Sequence, residues 1–200
     1  MVKLYRAFLN SNRIYLRALE ESDITEDYVA WLNAPEVTRH MESGRFPASV
    51  QSILQYLERF QHGEGDVIFA IIDRATEKHI GNVTLTSIHQ THRSAHTGLM
   101  LGNKDFWGQG YAFEAWSLII EYAFDRLGLR KIIAGARAKN EASVTILKKL
   151  GFKEEGVFRK EFFSEGEFVD SIHMGLFRQE FHKFAKQGAE HTEQQARTGE

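Results

Sequence analysis

The sequence predicts a mixed α/β (α+β) fold, a mostly antiparallel sheet with helices on both faces. Three observations lead there. Apolar residues alternate over several short runs and recur at helical spacing over others. Three strand-like runs follow one another before strand and helix begin to alternate, an order that does not suit an all-parallel doubly wound sheet. The only prolines, Pro35 and Pro47, lie in the first quarter, so the rest of the chain is free to hold long regular elements.

In chain order, residues 14–18 form a first strand in which Ile14, Leu16 and Ala18 alternate with Tyr15, Arg17 and Leu19. Ser22 or Asp23 then caps a helix carrying Tyr28, Trp31 and Leu32, which Pro35 ends or redirects. After a loop over 41–48, Ser49 caps a second helix with Ile53, Tyr56, Leu57 and Phe60 at helical spacing, closed by Gly63 and Gly65. Residues 67–73, 79–88 and 95–101 read as three strands of an antiparallel meander, with a charged turn over 74–78. From Gly110 a longer helix presents Tyr111, Ala115, Leu118, Ile119 and Tyr122 on one side and stops at Gly128. Residues 131–136 are a strand and 141–150 a helix ending at Gly151. The strands 157–163 and 168–176 form a hairpin about 164–167.

A chain of 200 residues suits one core, and residues 1–185 are expected to form a single domain. Residues 186–200 contain no Leu, Ile, Val or aromatic residue, which predicts a disordered C-terminal tail. A net charge of −2 without a basic stripe argues against nucleic acid as the partner. No apolar run approaches the ~20 residues that span a bilayer, which argues against a membrane partner. Absence of cysteine and of a secretion-type leader fits a reducing cytoplasm. His89, His92 and His96 have spacing that would suit one helix face, but they fall on strand and loop, so no metal site is expected.

Residues 103–115 carry the most chemistry. Gly108 and Gly110 sit between a strand and the start of an amphipathic helix, where unpaired amides and the helix dipole favour an anion. The backbone of Trp107, Gly108, Gln109, Gly110, Tyr111 and Ala112 could turn its amides onto a diphosphate, although the same glycines also suit a plain strand-to-helix turn. A P-loop would need a Gly-Lys pair, and a dinucleotide fingerprint a third glycine where Phe113 stands.

The segment resembles the phosphate loop of the GNAT superfamily of acetyl-CoA-dependent N-acetyltransferases, with Asp105 where the pattern carries Gln or Arg. Two further blocks resemble the same family. One runs from Asn140 through Ser143 to Gly151 and Phe152. The other runs from Glu154 and Gly156 through Phe163 and Gly166 to Asp170. The second block and the front segment with Trp31, Asn33 and Pro35 are similar to three branches, acting on ribosomal-protein N-termini, spermidine and amino sugar nucleotides.

The resemblance implies a sheet splayed between the fourth and fifth strands, with the pantetheine of acetyl-CoA pairing along Leu99, Met100 and Leu101. Gly98 then marks either a bulge or a packing concession. It also implies that Asn140 contacts the pantetheine, besides capping its helix. On the residues alone, Ser143 shares the inward stripe of Ile146, Leu147 and Leu150. Placed near the sulfur it could hydrogen-bond the leaving thiolate; as a first-turn serine it could equally bond its own backbone. The tyrosine that many members use falls at Leu147. Glu161 matches an acidic position that relatives use as the base, and His173 is a second candidate.

The expected function is acetyl transfer from acetyl-CoA to a primary amine, a protein N-terminus or an amino sugar nucleotide, by direct attack in a ternary complex without metal. A polyamine acetyltransferase and a catalytically silent acyl-CoA-binding module are the alternatives. Exposed strand edges and a C-terminal helix leave room for a homodimer.

Overall fold

The computed structural model describes residues 7–61 and 65–182. Gly63, expected to close a helix, and residues 186–200, expected to be a tail, lie outside the described residues. One eight-stranded sheet runs through the chain in the order β1-β2-β3-β4-β5-β6-β8-β7. Its strands are β1 (Leu9–Asn10), β2 (Ile14–Ala18), β3 (Val67–Asp73), β4 (His79–His89), β5 (Ser94–Leu101), β6 (Lys131–Arg137), β7 (Lys153–Ser164) and β8 (Glu167–Phe177). The helices are α1 (Glu26–Asn33), α2 (Pro35–Thr38), α3 (Val50–Gln61), α4 (Tyr111–Asp125) and α5 (Glu141–Lys149). All pairings are antiparallel except β5 with β6.

Alternation along the strands divides the core between the two faces. Ile14, Leu16, Phe69, Ile71, Ile132, Met174 and Leu176 pack with Ala115, Ile119 and Phe124 of α4 and Leu147 of α5. On the opposite face Tyr28 of α1 and Ile53 of α3 pack on Met100. Helices therefore cover both sides, as the sequence predicts.

Several boundaries differ from expectation. The first helix is capped by Thr25, whose side chain accepts from Tyr28 N, and not by Ser22 or Asp23. Asp23 is instead claimed by Arg17, two of whose guanidinium nitrogens lie 2.6 Å from its carboxylate oxygens. Pro35 redirects the chain by opening α2, since a proline costs a helix nothing at its first position. Pairing of β4 with β5 runs unbroken through Gly98, and the irregularity lies between Thr86 and His89, so Gly98 marks no bulge. The final hairpin turns on Glu165 (φ 52) and Gly166 (φ 86), the left-handed pair that a two-residue hairpin requires.

The feature that positions the site is a parting of the sheet. β5 pairs with β6 only from Ser94 to His96, against Lys131 to Ile133. Residues 97–101 keep β4 on one side and have no strand on the other, while residues 134–137 pair only with β8. The fourth and fifth strands of the sequence reading are these two.

Candidate functional site

The parting opens a cleft of about 1180 Å³. Its walls include Leu99, Met100 and Leu101 of β5, Ala134, Gly135 and Ala136 of β6, Trp107 and Gly108 before α4, and Ala112 and Trp116 within it. Asn140, Ser143 and Ile146 of α5 border the same space. Tyr28, Leu32, Met41, Phe46, Ile53 and Tyr56 bring the elements around α1 and α3 to it.

The loop before α4 has the geometry of an anion cradle. Gly108 (φ 70) and Gly110 (φ 84) occupy the left-handed region, and Gly110 is the N-cap of α4 without any side-chain cap. The amides of Gly108, Gln109, Gly110, Tyr111 and Ala112 have no hydrogen-bond acceptor among the described residues. A helix start that leaves this many donors open needs an external acceptor. Trp107 is an exception to the expected set, because its amide donates to the Lys104 carbonyl at 3.0 Å. Its indole Nε1 donates instead to the Leu101 carbonyl at 2.7 Å, tying the loop to the end of β5. Asp105 lies exposed in the turn Lys104–Phe106, where its amide donates to Asn103 Oδ1 at 3.0 Å.

On α5, Asn140 is the N-cap, with Oδ1 accepting from Ser143 N at 3.2 Å. Val144 and Leu147 are buried in the core, and Ser143 faces the cleft, partly exposed. Its hydroxyl has no partner among the described residues, so it is not spent on its own backbone. Leu147 also reaches the cleft and carries no titratable group.

Glu161 does not line the cleft. Its carboxylate accepts from the Ser171 hydroxyl and lies 3.4 Å from His173 Nε2, which is itself 3.1 Å from Ser171 Oγ. The Ser171 hydroxyl is the largest influence holding the Glu161 carboxyl below its ordinary value. This cluster lies one strand outside β6, because His173 pairs across from Gly135, a cleft residue.

At the α1 side, Asn82 donates to the Tyr28 hydroxyl at 2.7 Å, and burial pushes the Tyr28 phenol up to about 12. Glu36 is paired with Lys104 at 2.6 Å, and Glu42 with Arg45 at 3.0 Å and Arg137 at 2.8 Å. Both carboxylates thus have cations already beside them. Among the described residues no group of three or more His, Asp or Glu is placed to hold a metal ion. Nor is any helix long and apolar enough to cross a membrane.

Sequence reasoning missed three contributors. Arg13 donates to the Gln109 carbonyl at 2.8 Å from 96 positions away in the chain. Glu114 anchors that arginine, and Trp116 lines the cleft with its Nε1 buried and unpartnered. Only Glu114 left a signal, as a lone charge in the first turn of a helix that carries no other until Glu121.

A strand edge left open beside a row of donor amides suits an elongated, anionic ligand, and the fold and site together fit an acyl-CoA-dependent transferase. A family model described as "Acetyltransferase (GNAT) domain" matches residues 13–153, and the chain belongs to that family. It is 30% identical over 177 residues to the uncharacterized N-acetyltransferase p20 of Bacillus licheniformis, covering 86% of this chain and 97% of that protein. It is 29% identical over 173 residues to the spermidine N(1)-acetyltransferase of Escherichia coli (strain K12), covering 86% and 90%. Among solved structures it is similar to the Vibrio cholerae spermidine N-acetyltransferase in complex with CoA and spermine, with TM-score 0.75, 26% identity, and 84% and 97% of the two chains covered. A dodecameric structure of that V. cholerae enzyme superposes with TM-score 0.70 at 27% identity, covering 84% and 95%. The protein is an acetyl-CoA-dependent N-acetyltransferase, and the open amides and cleft fit that donor.

Proposed function

We propose that this enzyme acetylates a primary amine carried on a partly apolar body, a protein N-terminus before a polyamine, by direct attack in a ternary complex. The supporting observation is the acceptor side of the cleft, where Tyr28, Leu32, Met41, Phe46 and Ile53 supply apolar surface while Glu36 and Glu42 are both held by cations. A polyamine would need free carboxylates to replace the hydration of several ammonium groups. The names of the E. coli and V. cholerae relatives favour spermidine as a second reading. An amino sugar nucleotide is a third acceptor of the first class, since Arg39 and His40 border the cleft.

In this reading the amides of Gly108, Gln109, Gly110, Tyr111 and Ala112 bind the donor's diphosphate. The backbone of Leu99, Met100 and Leu101, with Asn140, aligns the pantetheine in the manner of an added strand, Leu101 through its amide side because Trp107 occupies its carbonyl. Trp107 contributes its indole at the cleft wall. The neutral amine forms a bond to the thioester carbon, the carbon–sulfur bond breaks, and Ser143 Oγ hydrogen-bonds the departing thiolate. The proton shed by the amine passes through water to the His173 and Glu161 pair.

The reading takes residues 1–185 as one domain, supported by a single sheet with continuous cores. A homodimer is supported by the free edge of β7, where Val157 and Phe158 are exposed, and by assembly of the V. cholerae relative. Residence in the cytoplasm is supported by a cysteine-free sequence. The test is release of free thiol from acetyl-CoA with a peptide, an amino sugar nucleotide and spermidine in parallel. The peptide is expected to give the highest kcat/KM; a spermidine value above the other two overturns the acceptor assignment.

A further inference from the structure

Arg13 follows the turn between β1 and β2, yet its side chain ends on the glycine loop. Nη1 donates to the Gln109 carbonyl at 2.8 Å, Nε donates to Glu114 Oε2 at 2.8 Å, and Nη2 lies 2.8 Å from the same oxygen. The guanidinium carbon sits 4.4 Å from the centre of the Tyr111 ring. Glu114 has no exposed side-chain surface, and its Oε1 accepts from Ser11 Oγ at 2.5 Å and from Arg13 N at 3.0 Å. A buried carboxylate satisfied on both oxygens fixes the planar guanidinium in one orientation. The fork is therefore a rigid post with one arm left for Gln109.

What that arm does follows from peptide geometry. In a trans peptide the N–H points opposite to the C=O. With the Gln109 carbonyl held on Arg13, the Gly110 N–H is turned away from the guanidinium, and it has no acceptor among the described residues. Glycine at 110 sets no steric preference of its own between the two orientations of this peptide plane. The preference comes from Arg13.

We propose that Arg13 is a positioning residue for the diphosphate of the acyl donor, acting through the peptide that joins Gln109 to Gly110 and not by touching the ligand. The inference rests on reading the glycine loop as the diphosphate cradle. Any donor lacking the diphosphate is then indifferent to Arg13.

The experiment compares steady-state kinetics with acetyl-CoA and with S-acetylpantetheine, which carries the same thioester without phosphates, at saturating amine. Arg13→Ala strands a buried carboxylate, so it is run beside Arg13→Ala combined with Glu114→Gln, and beside Arg13→Lys, which keeps the charge without the fork. The alanine variants are expected to raise KM for acetyl-CoA about tenfold with kcat within about twofold, and to leave KM for S-acetylpantetheine unchanged. Arg13→Lys is expected to fall between them and wild type. Equal rises with both donors, the mark of a merely structural role, overturn the proposal, as does a wild-type preference for acetyl-CoA that every variant retains. A wild-type KM equal for the two donors overturns the cradle reading and the proposal together.

Discussion

Gly135 of β6 and His173 of β8 are cross-strand partners, and a side chain built at Gly135 would meet nothing within 4 Å. The imidazole stacks on Phe158 with ring centres 4.0 Å apart, one strand from the cleft wall at Gly135, and the Glu161 carboxylate lies 3.4 Å from its Nε2. In the proposed mechanism the proton passes through water past Gly135 to the His173 and Glu161 pair, and a side chain at 135 would fill part of that route. Gly135→Val is expected to lower kcat by at least about tenfold while the melting temperature stays near that of wild type, a branched residue being at home in a strand. Unchanged turnover in a folded Gly135→Val enzyme would remove the pair from the reaction.

The pair itself divides by role. The Ser171 hydroxyl holds Glu161 below the ordinary carboxyl value, so it is charged throughout the working range and orients its neighbour. In the proposed mechanism His173→Ala is expected to lower kcat by at least about tenfold, and Glu161→Gln by about tenfold to a hundredfold, with KM for acetyl-CoA unchanged in both. Wild-type kcat in either variant removes that residue from the proton transfer.

Ser143 presents a hydroxyl with no competing partner at the cleft. Ser143→Ala is expected to reduce kcat about tenfold with little change in KM for either substrate, since in the proposed mechanism its hydroxyl bonds the leaving thiolate and not the bound substrates. Asn140→Ala serves as the contrast, because loss of the cap costs about 1 kcal/mol of stability. A KM effect in Ser143→Ala as large as its kcat effect contradicts the assignment.

Acid should weaken the fold before it reaches the carboxylates. Burial is the first cause that holds His40, His79 and His96 below the ordinary histidine value of 6.5. As pH falls through 6.5 the unfolded chain takes up protons that the folded chain resists, so stability present above that value is lost on the way down. The melting temperature is expected to fall between about pH 7.5 and pH 5.5, and less so in His79→Gln. His79 is the telling position, because its Nε2 lies 2.9 Å from the Gly81 carbonyl and 2.8 Å from Asn82 Oδ1 inside the Tyr28 and Trp31 stack. A flat profile over that range contradicts the linkage.

How far these features could be read in the sequence depends on how local their causes are. The Asn140 cap, the glycine loop and the hairpin turn at Glu165 and Gly166 follow from a few neighbouring residues, and each was legible. The start of α1 was misplaced because Asp23, a good cap by type, is taken by Arg17 from the strand before it. β1 spans two residues, Leu9–Asn10, and is too short to show any period. The bond from Arg13 to Gln109 joins residues 96 positions apart. The parting of β5 from β6 was legible only through resemblance, since no pattern within residues 95–101 announces a missing neighbour.

If the open amides before α4 receive the donor's diphosphate, their protons report it. Amide shifts of Gly108, Gln109, Gly110, Tyr111 and Ala112 are followed by NMR as acetyl-CoA and then S-acetylpantetheine are added. These five resonances are expected to move downfield with acetyl-CoA and to stay in place with S-acetylpantetheine, while Leu99 and Met100 respond to both. Movement at Leu99 and Met100 with the five loop amides unmoved by acetyl-CoA places the diphosphate elsewhere.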